Sequence, residues 1–369
     1  MKLRNVCCVA VGALALCLGA CQQPVEPQKA AVAERWSEDQ ANAWYAKLPW
    51  LAGVDYINAD AINQIEMWSK DTYNADQIDK ELGWAEELGF NTLRVYLSSV
   101  VYENDPEGLK ERMDNFLTIC QKHQIKPLFT IFDDCWNAES AYGKQPDPKP
   151  GVHNSGWVQD PAVSLRQDTV TLYPKMEKYV KDLLTSFGQD ERILLWDLWN
   201  EPGNSNHGVS TLPHLKKVFE WAREVNPSQP LTCGVWNWND SFAPLNAYQI
   251  EQSDVVSYHN YSDRADHEQT IKYFKMFNRP LVCTEYMARR NNSLFSTIMP
   301  LLKENKVVAI SWGFVSGKTN TIVAWDEPKP NEKEPKLWFH DIYRQDKTPF
   351  DPAEVALIKS LTGKGIIKL

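Results

Sequence analysis

Two glutamates stand where buried apolar runs give way to loops. Glu201 follows Leu194-Leu195-Trp196-Asp197-Leu198-Trp199-Asn200 and precedes Pro202-Gly203, and Glu285 ends Pro280-Leu281-Val282-Cys283-Thr284. Such a pair of carboxyl groups can split a glycosidic bond. One protonates the leaving oxygen while the other attacks the anomeric carbon, and at a separation of about 5 Å the anomeric configuration is retained. The stretch between the two glutamates has room for three βα units of about 30 residues, which puts them on the fourth and seventh strands of an alternating fold. Other residues with chemistry to offer share the strand-end position: Arg94, Asp133, Asn200, His259, Tyr261 and Trp312.

Something must hold these groups in one place, and the hydrophobic pattern supplies it. Eight short apolar segments follow Trp36, each suited to a buried parallel strand: Leu51–Tyr56, Thr92–Leu97, Pro127–Phe132, Ile193–Trp199, Leu231–Val235, Val255–Tyr258, Leu281–Glu285 and Val308–Phe314. Amphipathic helical stretches separate most of them. From Asp76 to Leu88, for instance, Ile78, Leu82, Ala85 and Leu88 recur at helical spacing and Gly89 follows as a cap, and Met113 to His123 repeats the arrangement with Phe116, Leu117 and Cys120. Eight alternations predict α/β architecture closed into a (β/α)₈ barrel, and the absence of a Gly-x-Gly-x-x-Gly after the first strand argues against dinucleotide binding. Two connections are too long for turns: Asp133 to about Asp160, with Trp136, Tyr142, His153 and Trp157, and Ser316 to about Leu337, with Trp325. Both follow strands, so in a barrel they lie on the C-terminal face as candidate cleft walls.

Trp199-Asn200-Glu201-Pro202, with a glutamate closing the seventh strand, resembles the clan A glycoside hydrolases, nearest the cellulases and mannanases of glycoside hydrolase family 5. The likeness covers roughly Trp50 to Trp312 and, more loosely, the tail to Pro352. It implies that Glu201 is the acid/base and Glu285 the nucleophile, that Arg94 holds the nucleophile ionised, and that Asn200 binds the sugar 2-hydroxyl. It further implies that His259 and Tyr261, in Tyr258-His259-Asn260-Tyr261, lie near the acid/base and the nucleophile respectively, and that Trp312 floors the subsite of the cleaved sugar. The family commonly has a histidine after the third strand, whereas this chain reads Phe132-Asp133-Asp134-Cys135-Trp136. Trp136 and Asp133 are expected at the substrate; of Asp133 and Asp134, either one bonds sugar hydroxyls or both cap the long loop. No cofactor or metal is required by this chemistry, and no Cys/His cluster has zinc spacing.

The 369 residues, 43% hydrophobic, can bury a full core, and a net charge of −9 without a basic stripe argues against nucleic acid as a partner. Fifteen tryptophans are available for sugar stacking or for packing. At the N-terminus, Lys2 and Arg4 precede the apolar stretch Val6 to Leu18, which ends in Leu18-Gly19-Ala20-Cys21. That pattern reads as a lipoprotein signal peptide over residues 1–20, with Cys21 acylated and residues 21–35 as a tether to a catalytic domain at 36–369. The expectation is therefore a monomer in the bacterial cell envelope, touching the membrane only through its lipid. Of the remaining cysteines, Cys233 and Cys283 read as core, and a Cys120–Cys135 disulfide is left open. Together these features predict a retaining hydrolase of a β-linked glycan of mannan, glucan or xylan type. A glycan-binding lipoprotein without turnover, or a transglycosylase, would use the same barrel.

Overall fold

The computed structural model describes residues 32–363. Eight parallel strands form one sheet: β1 Ala52–Asp55, β2 Thr92–Tyr96, β3 Lys126–Thr130, β4 Trp196–Asp197, β5 Leu231–Thr232, β6 Val256–His259, β7 Leu281–Glu285 and β8 Val308–Ser311. Their order, β5-β4-β3-β2-β1-β8-β7-β6, leaves β5 and β6 as the ends, and a parallel bridge between Val235 and Tyr258 joins them. This is a (β/α)₈ barrel. Each strand is followed by a helix: Ala75–Glu87, Pro106–Lys122, Thr169–Phe187, Leu212–Val225, Ala243–Gln252, Arg264–Phe274, Phe295–Glu304 and Pro352–Thr362. Among the described residues no helix is long and apolar enough to cross a membrane.

Every predicted segment contains its strand to within a residue, but several overran at the C-terminal end. Val308–Phe314 was expected where the ladder stops at Ser311, and Ile193–Trp199 where it holds Trp196 and Asp197. The apolar run continues past the ladder because the chain peels off to shape the site while staying buried: Trp199 is inaccessible and Phe314 is 2% exposed. The second long connection also runs past Leu337 to Asp351, since Trp338, Phe339 and His340 fold back as buried residues without regular structure.

The barrel interior is graded. At its N-terminal end Leu51, Leu128, Leu195, Val255, Val282 and Val308 form an apolar plug, covered by Trp44, Tyr45 and Leu48 of a helix at Glu38–Tyr45 and its exit. Arg35 hydrogen-bonds the Ile250 and Ser253 carbonyls at the end of the Ala243–Gln252 helix, so the chain is docked just before the expected boundary at Trp36. The expected signal peptide and the acylated Cys21 lie outside the described residues. Higher in the barrel the inward positions turn polar, and the charged cluster described next occupies them.

Candidate active site

Glu201 leaves β4 with φ 42°, in the left-handed region that non-glycine residues seldom occupy. Asp134 holds that turn from beneath: its carboxylate accepts from the Trp199 indole at 2.9 Å, the Gly203 N–H at 2.6 Å and the Thr211 hydroxyl at 2.6 Å, and pairs with Arg166 at 2.7 Å. Gly203, at φ 89°, is required where it stands, because a Cβ would come 2.7 Å from the Gly208 carbonyl oxygen. A strained turn pinned by a buried carboxylate is a means of fixing one side chain in space.

Glu285 is fixed by charge. Arg94, wholly buried on β2, donates to Glu285 at 2.7 Å, to Asp55 at 2.9 Å and to Asp197 at 2.7 Å, and to the Asn200 side-chain oxygen at 2.7 Å. One guanidinium thus serves three buried carboxyl groups. Burial pushes Asp55 well above the usual carboxylate range, with repulsion from Glu285 and Asp197 adding to it and Arg94 pulling the other way. Glu285 also accepts from Tyr96 at 3.0 Å and from Tyr261 at 2.6 Å. Burial raises both phenols well above their ordinary value, which keeps them donors.

His259 joins the two glutamates: its Nδ1 lies 2.8 Å from Glu201 and 3.4 Å from Glu285. Burial lowers this imidazole to about 4, so it is neutral at neutral pH and shares one proton with Glu201. Ligand atoms of Glu201, His259 and Glu285 all lie within 4.8 Å of one another. Three such groups could close on a metal ion, but Arg94 against Glu285 is a fixed positive charge that a divalent cation would have to oppose. The same spacing is what an acid and a nucleophile need for retention.

Burial raises Glu201 above its ordinary value, whereas donors from Cys135 and Asn204 act to lower it. The Cys135 thiol, itself pushed up by burial and so kept protonated, lies 3.2 Å from the Glu201 carboxylate. A raised acid stays protonated to higher pH, and kcat/KM falls as pH climbs through its pKa. Removing the thiol removes a donor that favours the ionised form. Cys135→Ala is therefore expected to move the alkaline limb of the kcat/KM profile to higher pH, as pH-rate measurements would show; an unmoved limb would mean that the contact does not tune Glu201.

These groups face a cavity of about 430 Å³, within the range of small-ligand sites. Asn200, Glu201, His259, Tyr261, Glu285, Trp312 and Trp136 all line it. Trp312 packs edge-on to Tyr96 and Trp157, and Trp136 lies at the rim, 41% exposed. Two of the expected site residues do not line the cavity. Arg94 is beneath Glu285, and Asp133, 2% exposed, spends its carboxylate on Asn200, the Trp157 indole and the Cys135 N–H, so both position residues of the wall without lining it. The open disulfide question is settled by geometry: Cys120 and Cys135 are each free and buried. Sequence reasoning did not single out Tyr96, Asp55, Asp197, Asn204, Trp236 or Trp238. Tyr96 carried a usable signal, since it lies two positions from Arg94 on the same strand.

The model of the cellulase family, glycosyl hydrolase family 5, matches residues 52–318, from the first residue of β1 to beyond the last strand. No curated protein sequence matches. Among solved structures the chain is similar to an exo-β-1,4-mannosidase from Opitutaceae bacterium strain TAV5 (16% identity, TM-score 0.60), covering 87% of this chain and 61% of that one. It is also similar to an endo-β-1,4-mannanase from Thermotoga petrophila (14%, 0.55; 87% and 77%) and an endo-1,4-β-mannanase from Rhizomucor miehei (13%, 0.54; 86% and 98%). The chain thus spans less than two thirds of the mannosidase's length, and identities this low speak to the fold. The departure after β3, where Cys135 stands, leaves the family match intact, and the chain belongs to glycosyl hydrolase family 5.

Proposed function

We propose that this glycoside hydrolase cleaves a β-linked glycan with retention, by a double displacement in which Glu285 is the nucleophile and Glu201 the acid/base. The observation that carries the reading is the close approach of the two carboxyl groups, with ligand atoms within 4.8 Å of each other across His259. The environments divide the roles. Glu285 faces a guanidinium and two phenols, which favour an anion, whereas Glu201 is raised by burial and suits an acid. Asn200, on the cavity wall with its amide fixed by Arg94 and Asp133, is placed to meet the sugar 2-hydroxyl, and Trp312 to meet a ring face. The mannosidase and mannanases among the similar structures favour a β-1,4-mannan-type substrate over glucan or xylan. We place the enzyme in the bacterial cell envelope, held by lipid on Cys21 through a short tether, and working as a monomer.

The test is hydrolysis by the form beginning after Cys21, on a panel of β-mannan, β-glucan, xylan and aryl β-glycosides, beside Glu201→Gln and Glu285→Gln. Sugar release by the parent and not by the variants is expected. Binding to a glycan with no release from any would overturn the reading in favour of a non-catalytic lectin-like role.

A further inference from the structure

The loops after β3 and β8 are fastened to each other. Their strands are separated in the sheet by β2 and β1, yet the Asn154 N–H donates to the Thr319 carbonyl at 2.7 Å and the Lys329 N–H to the Gly151 carbonyl at 2.7 Å. The Asn320 side chain adds a bond to the Lys149 carbonyl at 3.0 Å, and His153 Nδ1 lies 2.8 Å from the Val323 carbonyl oxygen. Gly151 is glycine for this reason: at φ +64° a Cβ would come 2.0 Å from the Lys329 carbonyl oxygen. The joined loops cross the barrel mouth above β1 and β2. Among the described residues, those lining the cavity come from the ends of β6 and β7, the loops after β3 to β8 and the start of the Arg264–Phe274 helix, and none from β1, β2 or the segments that follow them.

The cavity therefore has one walled and one open side. At the junction of the two loops Asn154 and Trp157 are 2% exposed, with Trp136 of the same loop reaching the rim, whereas on the opposite side Trp238, after β5, is 48% exposed and Ser262 is also exposed. The chemistry assigns a direction to these sides. The leaving sugar must depart past Glu201, and water must enter there, while the glycone stays bonded to Glu285. Trp157 of the joined loops packs edge-on to Tyr96, which bonds Glu285, whereas Glu201 takes a bond from Asn204 of the loop after β4 as well as from Cys135, so the wall lies on the Glu285 side, behind the glycone.

Asn154 borders the cavity at this wall with both side-chain amide atoms buried and unpartnered. An unpaired buried amide costs about 1–3 kcal/mol and calls for a partner. Its neighbour His153 is lowered to about 4 by burial and is neutral; with its Nδ1 proton spent on Val323, its Nε2 is left as an acceptor. A donor-acceptor amide beside an acceptor imidazole suits the vicinal hydroxyls of a sugar.

We propose that the cleft is blind beyond the glycone, so that the enzyme removes sugar from the non-reducing ends of chains, and that Asn154 binds hydroxyls of that terminal sugar. This rests on the retaining-hydrolase reading. The experiment compares a β-1,4-linked mannooligosaccharide with its counterpart carrying a benzylidene acetal on the 4- and 6-hydroxyls of the non-reducing sugar, with aryl β-glycosides run in parallel. Cleavage of the free oligosaccharide alone, releasing small sugar from the non-reducing end, is expected. Cleavage of the blocked one would overturn the inference while leaving the hydrolase reading in place, whereas silence on every substrate would overturn both. Asn154→Gly, which accepts the left-handed φ of 45° at this position, is expected to lower kcat/KM about tenfold, mainly through KM, without lowering the unfolding temperature. A lowered unfolding temperature with unaltered KM would assign the residue to the loop structure and remove it from the site.

Discussion

Glu285→Ala lowers turnover of an activated aryl β-glycoside by on the order of 10⁴-fold or more, and added azide restores part of it as an α-glycosyl azide. The first outcome follows from the loss of the attacking atom. The second follows from where that atom stood: removal of the carboxylate leaves space beneath the anomeric carbon, still faced by Arg94 and by the Tyr96 and Tyr261 hydroxyls, in which a small anion fits. Attack from that side by azide gives one inversion with no second step, so the adduct has the opposite configuration to the substrate. Glu201→Ala behaves differently. Substrates whose leaving groups need no protonation retain much of their first-step rate, and poor leaving groups lose most of theirs. Kinetics on a series of aryl glycosides separates the two glutamates, and full activity in Glu285→Ala would remove the nucleophile assignment.

The second large effect is at Arg94. Arg94→Met keeps roughly the same volume but leaves Asp55, Asp197 and Glu285 around a site without its cation. Breaking a buried pair by removing one partner costs about 3–5 kcal/mol, because the remaining charge is uncompensated. The expected result is a marked fall in unfolding temperature together with a loss of activity, as the guanidinium no longer favours the anionic nucleophile or orients Asn200. Adding Asp197→Asn removes one of the stranded carboxylates and is expected to recover part of the stability and none of the activity. Thermal unfolding and kcat/KM on the single and double variants check this. Recovery of both would make Arg94 a purely structural ion pair.

Much of this architecture was legible because a parallel strand buried on both faces is written as a continuous apolar run, and eight such runs with helical stretches between them leave few alternatives. The proposed catalytic pair stood out because Glu285 ends one apolar run and Glu201 stands just past another. What was missed has physical causes. The helix at Pro106–Lys122 begins well before the predicted Met113, although Asp105-Pro106 carries both an N-cap and a first-turn proline, because its first turns are polar and break the apolar periodicity. Asp55 and Asp197 lie inside strand runs where a lone acid gives no sign of its partner, since Arg94 is brought to them only by registers across several strands. Asp133 was expected at the sugar because a loop-leading aspartate looks available, but the loop turns back over it and its carboxylate is consumed by the Trp157 indole and the Cys135 N–H. The joining of the two long loops was equally hidden, as it depends on backbone hydrogen bonds between segments far apart in sequence.

The central claim is that Glu285 and Glu201 act in two successive displacements. Proton NMR of the sugar released in the first minutes of aryl β-glycoside hydrolysis, before mutarotation, tests it directly. The account predicts that the β-anomer appears first and the α-anomer only as the product equilibrates. First appearance of the α-anomer would mean a single displacement by water, and would contradict the assignment of Glu285 as nucleophile.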